Sequence, residues 1–193
     1  MNLPNCLTLL RIVLTFLFIV FLVRDGLTEK IVAALLFAMA ALTDYLDGHL
    51  ARAKGLITNF GKIMDPIADK FLVLSAFYVF AYLELIPFWI FGVIAIREVG
   101  ITAWRLQAVS RGTVMAAETA GKYKTILQML AIGAILFYEI LWSIPRLHDS
   151  FWNAAIHGFF YAGILALMSV AVGLTVWSGI LFIWHNRQNI HVR

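Results

Sequence analysis

Six apolar stretches, separated by short polar segments, account for most of this chain. A helix needs roughly 20 apolar residues to cross the ~30 Å hydrocarbon core of a bilayer. By this measure the pattern predicts six transmembrane helices, at about residues 7–23, 30–53, 66–83, 87–109, 118–142 and 153–184. The connections between them are short and no internal repeat is evident, so we expect residues 1–193 to form a single domain.

The composition favours an integral membrane protein. Of the 193 residues, 62% are hydrophobic and only 13% are charged, and the mean hydropathy is +0.88. A soluble domain lies nearer half apolar and a quarter charged. No early run of small residues marks a cleavage site, so we expect no removable signal peptide. The single Cys6 excludes an internal disulfide.

The basic residues predict the orientation in the membrane. An even number of spans places both termini on one side, and only Arg24, Lys30 and Arg146 of the 15 basic residues would then lie on the other side. Lysine and arginine gather in cytoplasmic loops. We therefore expect both termini in the cytoplasm. The same bias explains the net charge of +4 without a nucleic-acid partner.

Four aspartates lie near the predicted cytoplasmic ends of helices 2 and 3. Asp44 and Asp47 are three residues apart, and Asp65 and Asp69 are four apart, so each pair shares one helix face. Residues 54–64 can turn the chain so that the two pairs oppose each other. Acidic side chains at membrane depth are costly and mark functional sites. We call these four residues the signature aspartates.

The chemistry of such a set favours divalent cations. Carboxylates that converge at low dielectric cannot all stay ionised unless cations compensate them. Hard oxygen ligands favour Mg²⁺, Mn²⁺ or Ca²⁺ over zinc. Two ions shared by four carboxylates can stabilise both the attacking and the leaving oxygen of a displacement.

Simpler explanations exist for individual members of the set. Asp65 precedes Pro66, which is a common helix start with an aspartate cap. Asp44 and Asp47 could pair with Arg52 and with Lys54 at a solvated helix end. The combination of all four acids with small and basic residues at fixed spacings favours a functional site.

The spacing of the whole segment resembles a known family. Residues 44–69 read D-x2-D-G-x2-A-R-x8-G-x3-D-x3-D, the signature of the CDP-alcohol phosphotransferases. The resemblance implies the six-helix fold of that family, with two Mg²⁺ or Mn²⁺ ions on the signature aspartates. It also implies that Asp69 acts as general base and that CMP is displaced from the β-phosphorus. The residues that would line the cytidine nucleotide site are Gly48, Arg52, Thr58 and Gly61.

The N-terminus extends the resemblance to one branch of the family. Asn2-Leu-Pro4-Asn5-Cys-Leu-Thr8-Leu-Leu-Arg11 is similar to the opening common in bacterial phosphatidylglycerophosphate synthases. By that resemblance Asn5 and Thr8 are further candidates for the nucleotide site. The segment would form an interfacial helix before helix 1 enters the membrane. A plain capped helix start explains the same residues.

A group of basic residues follows the signature on the same side of the membrane. Arg97 and Glu98 fall well inside helix 4, where charge is costly. The candidates for binding an acceptor phosphate are Arg105, Arg111, Lys122 and Lys124. Lys122 and Lys124 are two apart and cannot both point the same way. A positive-inside role is the alternative explanation for each of these cations.

Arg97-Glu98-x6-Arg105 and the later G-K-x-K-T also resemble the phosphatidylglycerophosphate synthase branch. That resemblance implies transfer of the phosphatidyl group from CDP-diacylglycerol to sn-glycerol 3-phosphate, a step of phospholipid biosynthesis. It further implies a homodimer in the bacterial inner (cytoplasmic) membrane, with the active site on the cytoplasmic side.

Three other functions are consistent with parts of the sequence. The same reaction class could use inositol phosphate, serine or phosphatidylglycerol as acceptor. A divalent-cation transporter could use the four aspartates as its transport site, although the inverted repeat expected of such a protein is not evident. A noncatalytic membrane scaffold would have no need for an intact set of acids.

Overall fold

The protein is all-helical in the part of the chain that its computed structural model describes, residues 3–54, 59–110, 119–148 and 152–186. Within these ranges, side chains are described except at 3–5, 44–54, 59–66, 69, 109, 119–120, 146 and 148. The helices are α1 (Leu3–Leu22), α2 (Leu27–Lys54), α3 (Asn59–Tyr82), α4 (Phe88–Ser110), α5 (Thr119–Trp142), α6 (Pro145–His148) and α7 (Ala154–Asn186). This confirms the predicted fold class.

Two predicted helix starts were wrong. The third long helix begins at Asn59, about seven residues earlier than predicted, so Pro66 lies inside α3. The Asp-Pro step imitates a helix start because proline is favoured at a first helical position. α1 runs without a break from Leu3, so the predicted interfacial segment forms its first turns. The other predicted boundaries lie within about three residues of the observed ones.

Contacts at one end of the bundle establish how the helices run. The side-chain nitrogen of Lys30 donates to the Leu22 carbonyl at 2.9 Å and pairs with the Glu139 carboxylate at 2.8 Å. Leu83 and Leu85 line a pocket beside this pair. The ends of α1, α3 and α5 therefore meet the start of α2, at what we call the Lys30 end. The end of α2 and the start of α3 lie at the opposite end, which we call the signature end.

An aromatic cluster closes the Lys30 end between α5 and α7. The rings of Trp142 and Trp152 lie 5.2 Å apart, and Tyr138 lies 5.7 Å from Trp152 and 6.0 Å from His157. Because His157 belongs to the first turn of α7, this helix starts at the Lys30 end and finishes at the signature end. The start of α1 and the end of α7 thus share one end of the bundle.

The core is apolar and centred on α3. Ala76, Phe77 and Phe80 are fully buried there, and α3 packs against α1, α4 and α5. Large apolar side chains also cover the outside, as at Ile96 and Phe159, which are 77% and 78% exposed. Such a surface is suited to lipid and not to water.

Two helices have the length and hydropathy of membrane spans within the described residues. They are Gly121–Trp142, with a mean hydropathy of 1.7, and Ala154–Asn186, with 2.1. Together with the apolar exterior they support a membrane protein. The count of six spans stays a prediction.

Candidate active site

The helix bounds place the signature aspartates in the halves of α2 and α3 that are nearer the signature end. Asp44 and Asp47 belong to α2, and Asp65 and Asp69 belong to α3. Asp47 and Asp65 lie about 10 Å from the helix ends at a rise of ~1.5 Å per residue. By the same count Asp44 and Asp69 lie about 15 Å from them. The two pairs therefore lie at matched depths, as a shared site requires.

Several predicted site residues fall outside the described part of the structure. The side chains of the signature aspartates do so, and so do those of Asn5, Gly48, Arg52 and Gly61. Thr58 and Arg111 lie outside the described residues altogether. Their roles stay predictions.

The structure excludes helix capping as the explanation for Asp65. A capping aspartate precedes the first turn of its helix. α3 already begins at Asn59, so Asp65 lies in its second turn. Its place in the sequence is therefore not explained by capping.

α1 contributes a buried polar face. Thr8 and Arg11 are three residues apart and are only 3% and 1% exposed. α1 packs against α2 and α3, the two helices that carry the signature aspartates. The sequence analysis named Thr8 as a candidate but left out Arg11, although the Thr-x2-Arg spacing indicated that both share a face.

Glu98 is the centre of a charged cluster that joins three helices. Its Oε1 accepts a hydrogen bond from Lys124 of α5 and lies 3.3 Å from Nη1 of Arg97. Its Oε2 lies 2.5 Å from the side-chain nitrogen of Lys70 on α3. Glu98 itself is 2% exposed. We call Lys70, Arg97, Glu98 and Lys124 the Glu98 cluster.

Polar side chains of α5 and α7 form further hydrogen bonds on the side of the Glu98 cluster that faces α7. Nη2 of Arg97 donates to the Ser178 hydroxyl at 2.9 Å. The Gln128 amide donates to the Thr175 hydroxyl at 3.3 Å. Gly179 is buried beside Arg97, where an added Cβ would lie 3.4 Å from Arg97 Cγ. These contacts fix α7 against α4 and α5 at the level of the cluster.

The three predicted acceptor cations that the structure describes, Arg105, Lys122 and Lys124, differ in their surroundings. Lys124 is buried in the Glu98 cluster, whereas Lys122 is exposed, which confirms that the two point in different directions. The Arg105 guanidinium lies 5.0 Å from the centre of the Phe182 ring on α7, a cation–π contact. Within the part of the chain that the structure describes, Glu98 pairs with Lys70, Arg97 and Lys124 and not with Arg105.

Lys70 and the α7 partners of the Glu98 cluster, Thr175 and Ser178, were not predicted from the sequence. Lys70 directly follows Asp69, and this position was the available signal. Thr175 and Ser178 each carry one hydroxyl in an otherwise apolar part of α7. In such a helix the hydroxyl often donates a hydrogen bond to a backbone carbonyl of the same helix. Their links to α4 and α5 depend on helix packing, which the sequence pattern does not reveal.

Comparison with known proteins identifies the family. The protein-family model described as CDP-alcohol phosphatidyltransferase matches residues 1–184. The chain belongs to this family. The resemblance drawn from the signature is thereby confirmed, and the described helices cover most of the matched range.

Several curated relatives are similar over most of their length. A Bacillus subtilis (strain 168) protein named CDP-diacylglycerol--glycerol-3-phosphate 3-phosphatidyltransferase is 38% identical over 168 residues, which cover 79% of this chain and 87% of the relative. A Salmonella paratyphi A protein of the same name is 35% identical, covering 92% and 90%. A Mycobacterium tuberculosis (strain CDC 1551 / Oshkosh) protein, named a probable phosphatidylglycerophosphate synthase, is 37% identical, covering 94% and 80%.

Proposed function

We propose that this protein transfers the phosphatidyl group from CDP-diacylglycerol to sn-glycerol 3-phosphate, which yields phosphatidylglycerophosphate and CMP. The observation that carries the proposal is the complete CDP-alcohol signature on α2 and α3, in a chain whose curated relatives bear the name of this reaction. The apolar exterior agrees with a donor that is itself a membrane lipid.

The donor set of the signature suits hard divalent ions. It consists of four carboxylates at matched depths, with neither histidine nor cysteine at the fixed positions of the motif. The signature aspartates would hold two ions, Mg²⁺ or Mn²⁺, whose charge would neutralise the pyrophosphate of CDP-diacylglycerol. Gly48, Arg52, Thr58 and Gly61 would line the nucleotide site, with Asn5 and Thr8 on the side of α1. The burial of Thr8 on the face of α1 that packs inward supports its place in that set.

The chemical step needs one base and one leaving group. Asp69 accepts the proton of the acceptor hydroxyl, and the hydroxyl oxygen forms a new bond to the β-phosphorus. The bond between that phosphorus and the bridging oxygen breaks, and its electron pair leaves on CMP. Phosphoryl transfer depends mostly on positioning and charge neutralisation.

The acceptor carries its own phosphate and needs cations near Asp69. Arg105, Arg111, Lys122 and Lys124 are the proposed cations. Lys124 bonds to Glu98, which also contacts Lys70, the residue after Asp69. This chain of contacts supports a phosphate site on the α4–α5 side of the base.

We further propose six membrane spans in the bacterial inner membrane, with both termini and the active site in the cytoplasm. The alternating helix directions and the excess of basic residues at the signature end support this orientation. A homodimer is part of the proposal. Ala162, Ala166, Ser169 and Gly173 leave an exposed small-residue stripe on α7, which would allow a second helix to approach closely.

The test is a substrate panel with the purified full-length protein. CDP-diacylglycerol is supplied in mixed micelles with Mg²⁺, and CMP release is measured with glycerol 3-phosphate, serine, inositol phosphate or phosphatidylglycerol. Release that depends on glycerol 3-phosphate alone supports the proposal. Release with another acceptor but not with glycerol 3-phosphate refutes the acceptor, and no release with any acceptor refutes the reaction class.

A further inference from the structure

We infer that Glu98 is a positioning residue for the acceptor: it holds Lys124 and Lys70, the residue that follows Asp69 on α3, in one cluster, so that their charge is available to the phosphate of glycerol 3-phosphate. The inference rests on the proposed function and assigns a residue that the family signature does not contain.

The two oxygens of the Glu98 carboxylate contact two different helices. Oε1 faces Lys124 on α5, and Oε2 faces Lys70 on α3. One side chain of α4 therefore fixes the spacing of two ammonium groups from different helices. The ammonium of lysine is a point charge on a flexible stem, so its position depends on its partners.

The charges of the Glu98 cluster also support the inference. Among the side chains that the structure describes, Glu98 is one buried anion paired with three cations, Lys70, Arg97 and Lys124. Like charges at low dielectric repel strongly, and a shared carboxylate is what allows them to stay close together. Without that carboxylate the two ammonium groups would repel each other and move apart.

A small cavity lies beside Glu98. The cavity that Glu98 lines together with Lys70, Thr125 and Gln128 has a volume of about 10 Å³ for a water-sized probe. That is the size of a single water molecule and too small for a phosphate group. Glu98 therefore cannot reach the substrate through this cavity, and we infer that it acts through the lysines.

The chain contains a matched control at its other end. Glu139 forms the same kind of buried ion pair, with Lys30 at 2.8 Å, and also joins two helices. It lies at the Lys30 end, away from the signature aspartates. Loss of the Glu139 charge reports the general effect of breaking a buried pair, without an effect on the acceptor site.

The test compares apparent KM values for both substrates in wild type, Glu98→Gln, Lys124→Met, the double variant and Glu139→Gln. We expect Glu98→Gln and Lys124→Met each to raise KM for glycerol 3-phosphate about tenfold, the loss typical of one charged contact. KM for CDP-diacylglycerol should change less than about twofold. The double variant should be no worse than Glu98→Gln alone, because Lys124 contributes only while Glu98 holds it in place. Glu139→Gln should leave both KM values unchanged.

Three results would overturn the inference: an unchanged KM for glycerol 3-phosphate in Glu98→Gln, equal changes for both substrates, or single-variant effects that multiply in the double variant. If Glu98→Gln does not fold, Glu98→Asp replaces it, because that variant keeps the charge but is one methylene too short to reach both lysines. Failure of the wild type to release CMP with glycerol 3-phosphate would instead refute the proposed function, and the inference with it.

Discussion

Removing the Glu139 charge is the stability test that the structure defines best. Glu139 and Lys30 are 10% and 7% exposed at their side chains and lie 2.8 Å apart. Glu139→Gln keeps the shape of the side chain and leaves Lys30 charged in a buried place. Breaking a buried ion pair from one side costs about 3–5 kcal/mol, because the remaining charge loses its compensation.

Two features of the site place the expected cost at the lower end of that range. Lys30 keeps its hydrogen bond to the Leu22 carbonyl, at the negative end of the α1 dipole. The adjoining pocket of about 370 Å³ for a water-sized probe can admit several waters to the ammonium. We therefore expect a loss of about 3 kcal/mol, which lowers the equilibrium constant of folding about 150-fold.

The measurement is reversible unfolding in mixed micelles, followed by helical circular dichroism. Lys30→Met combined with Glu139→Leu should lie within about 1 kcal/mol of wild type, because no charge remains buried. Glu84→Gln, at an exposed glutamate near the same end, is the control and should change stability by less than about 0.5 kcal/mol. A loss below about 1 kcal/mol in Glu139→Gln, or a double variant that loses as much stability as Glu139→Gln, would refute the reasoning.

The remaining predictions concern the proposed site. Asp69→Asn should reduce CMP release by orders of magnitude while CDP-diacylglycerol binding stays measurable in a filter assay, and wild-type turnover would remove Asp69 as the base. Lys122→Ala should raise KM for glycerol 3-phosphate more than KM for CDP-diacylglycerol, and equal effects in steady-state kinetics would assign Lys122 to orientation or folding alone. Gly179→Ala should be tolerated because its Cβ would lie 3.4 Å from Arg97, whereas the larger Gly179→Val should displace Arg97 and lower activity and thermal stability together. Equal melting temperatures for the two Gly179 variants would contradict that packing argument.

Much of the fold followed from the sequence because a membrane helix has one dominant signal. A long apolar run must satisfy its backbone within the helix, so its length and ends are visible in the composition. The predicted start of α3 was wrong because the Asp65-Pro66 step has the residues typical of a helix start. The helix in fact extends into the polar segment before it, where hydropathy gives no signal.

The signature aspartates could be predicted from the sequence as a motif, whereas the contacts of the Glu98 cluster could not. The spacing of the signature aspartates is fixed by helix periodicity, so the sequence alone placed them on two helix faces. The pairing of Glu98 with Lys70 and Lys124 joins residues from three helices. Such pairing depends on how the helices rotate against each other, and the sequence hinted at it only through the intramembrane position of Glu98 and the place of Lys70 after Asp69.

The most direct test of the account is whether the reaction depends on divalent ions at the signature aspartates. CMP release from CDP-diacylglycerol and glycerol 3-phosphate is measured after the purified protein has been stripped with EDTA and then supplied with Mg²⁺ or Mn²⁺. The account predicts no release from the stripped protein and full recovery with either ion, but no recovery in Asp44→Asn. Full activity of the stripped protein in excess EDTA would contradict it.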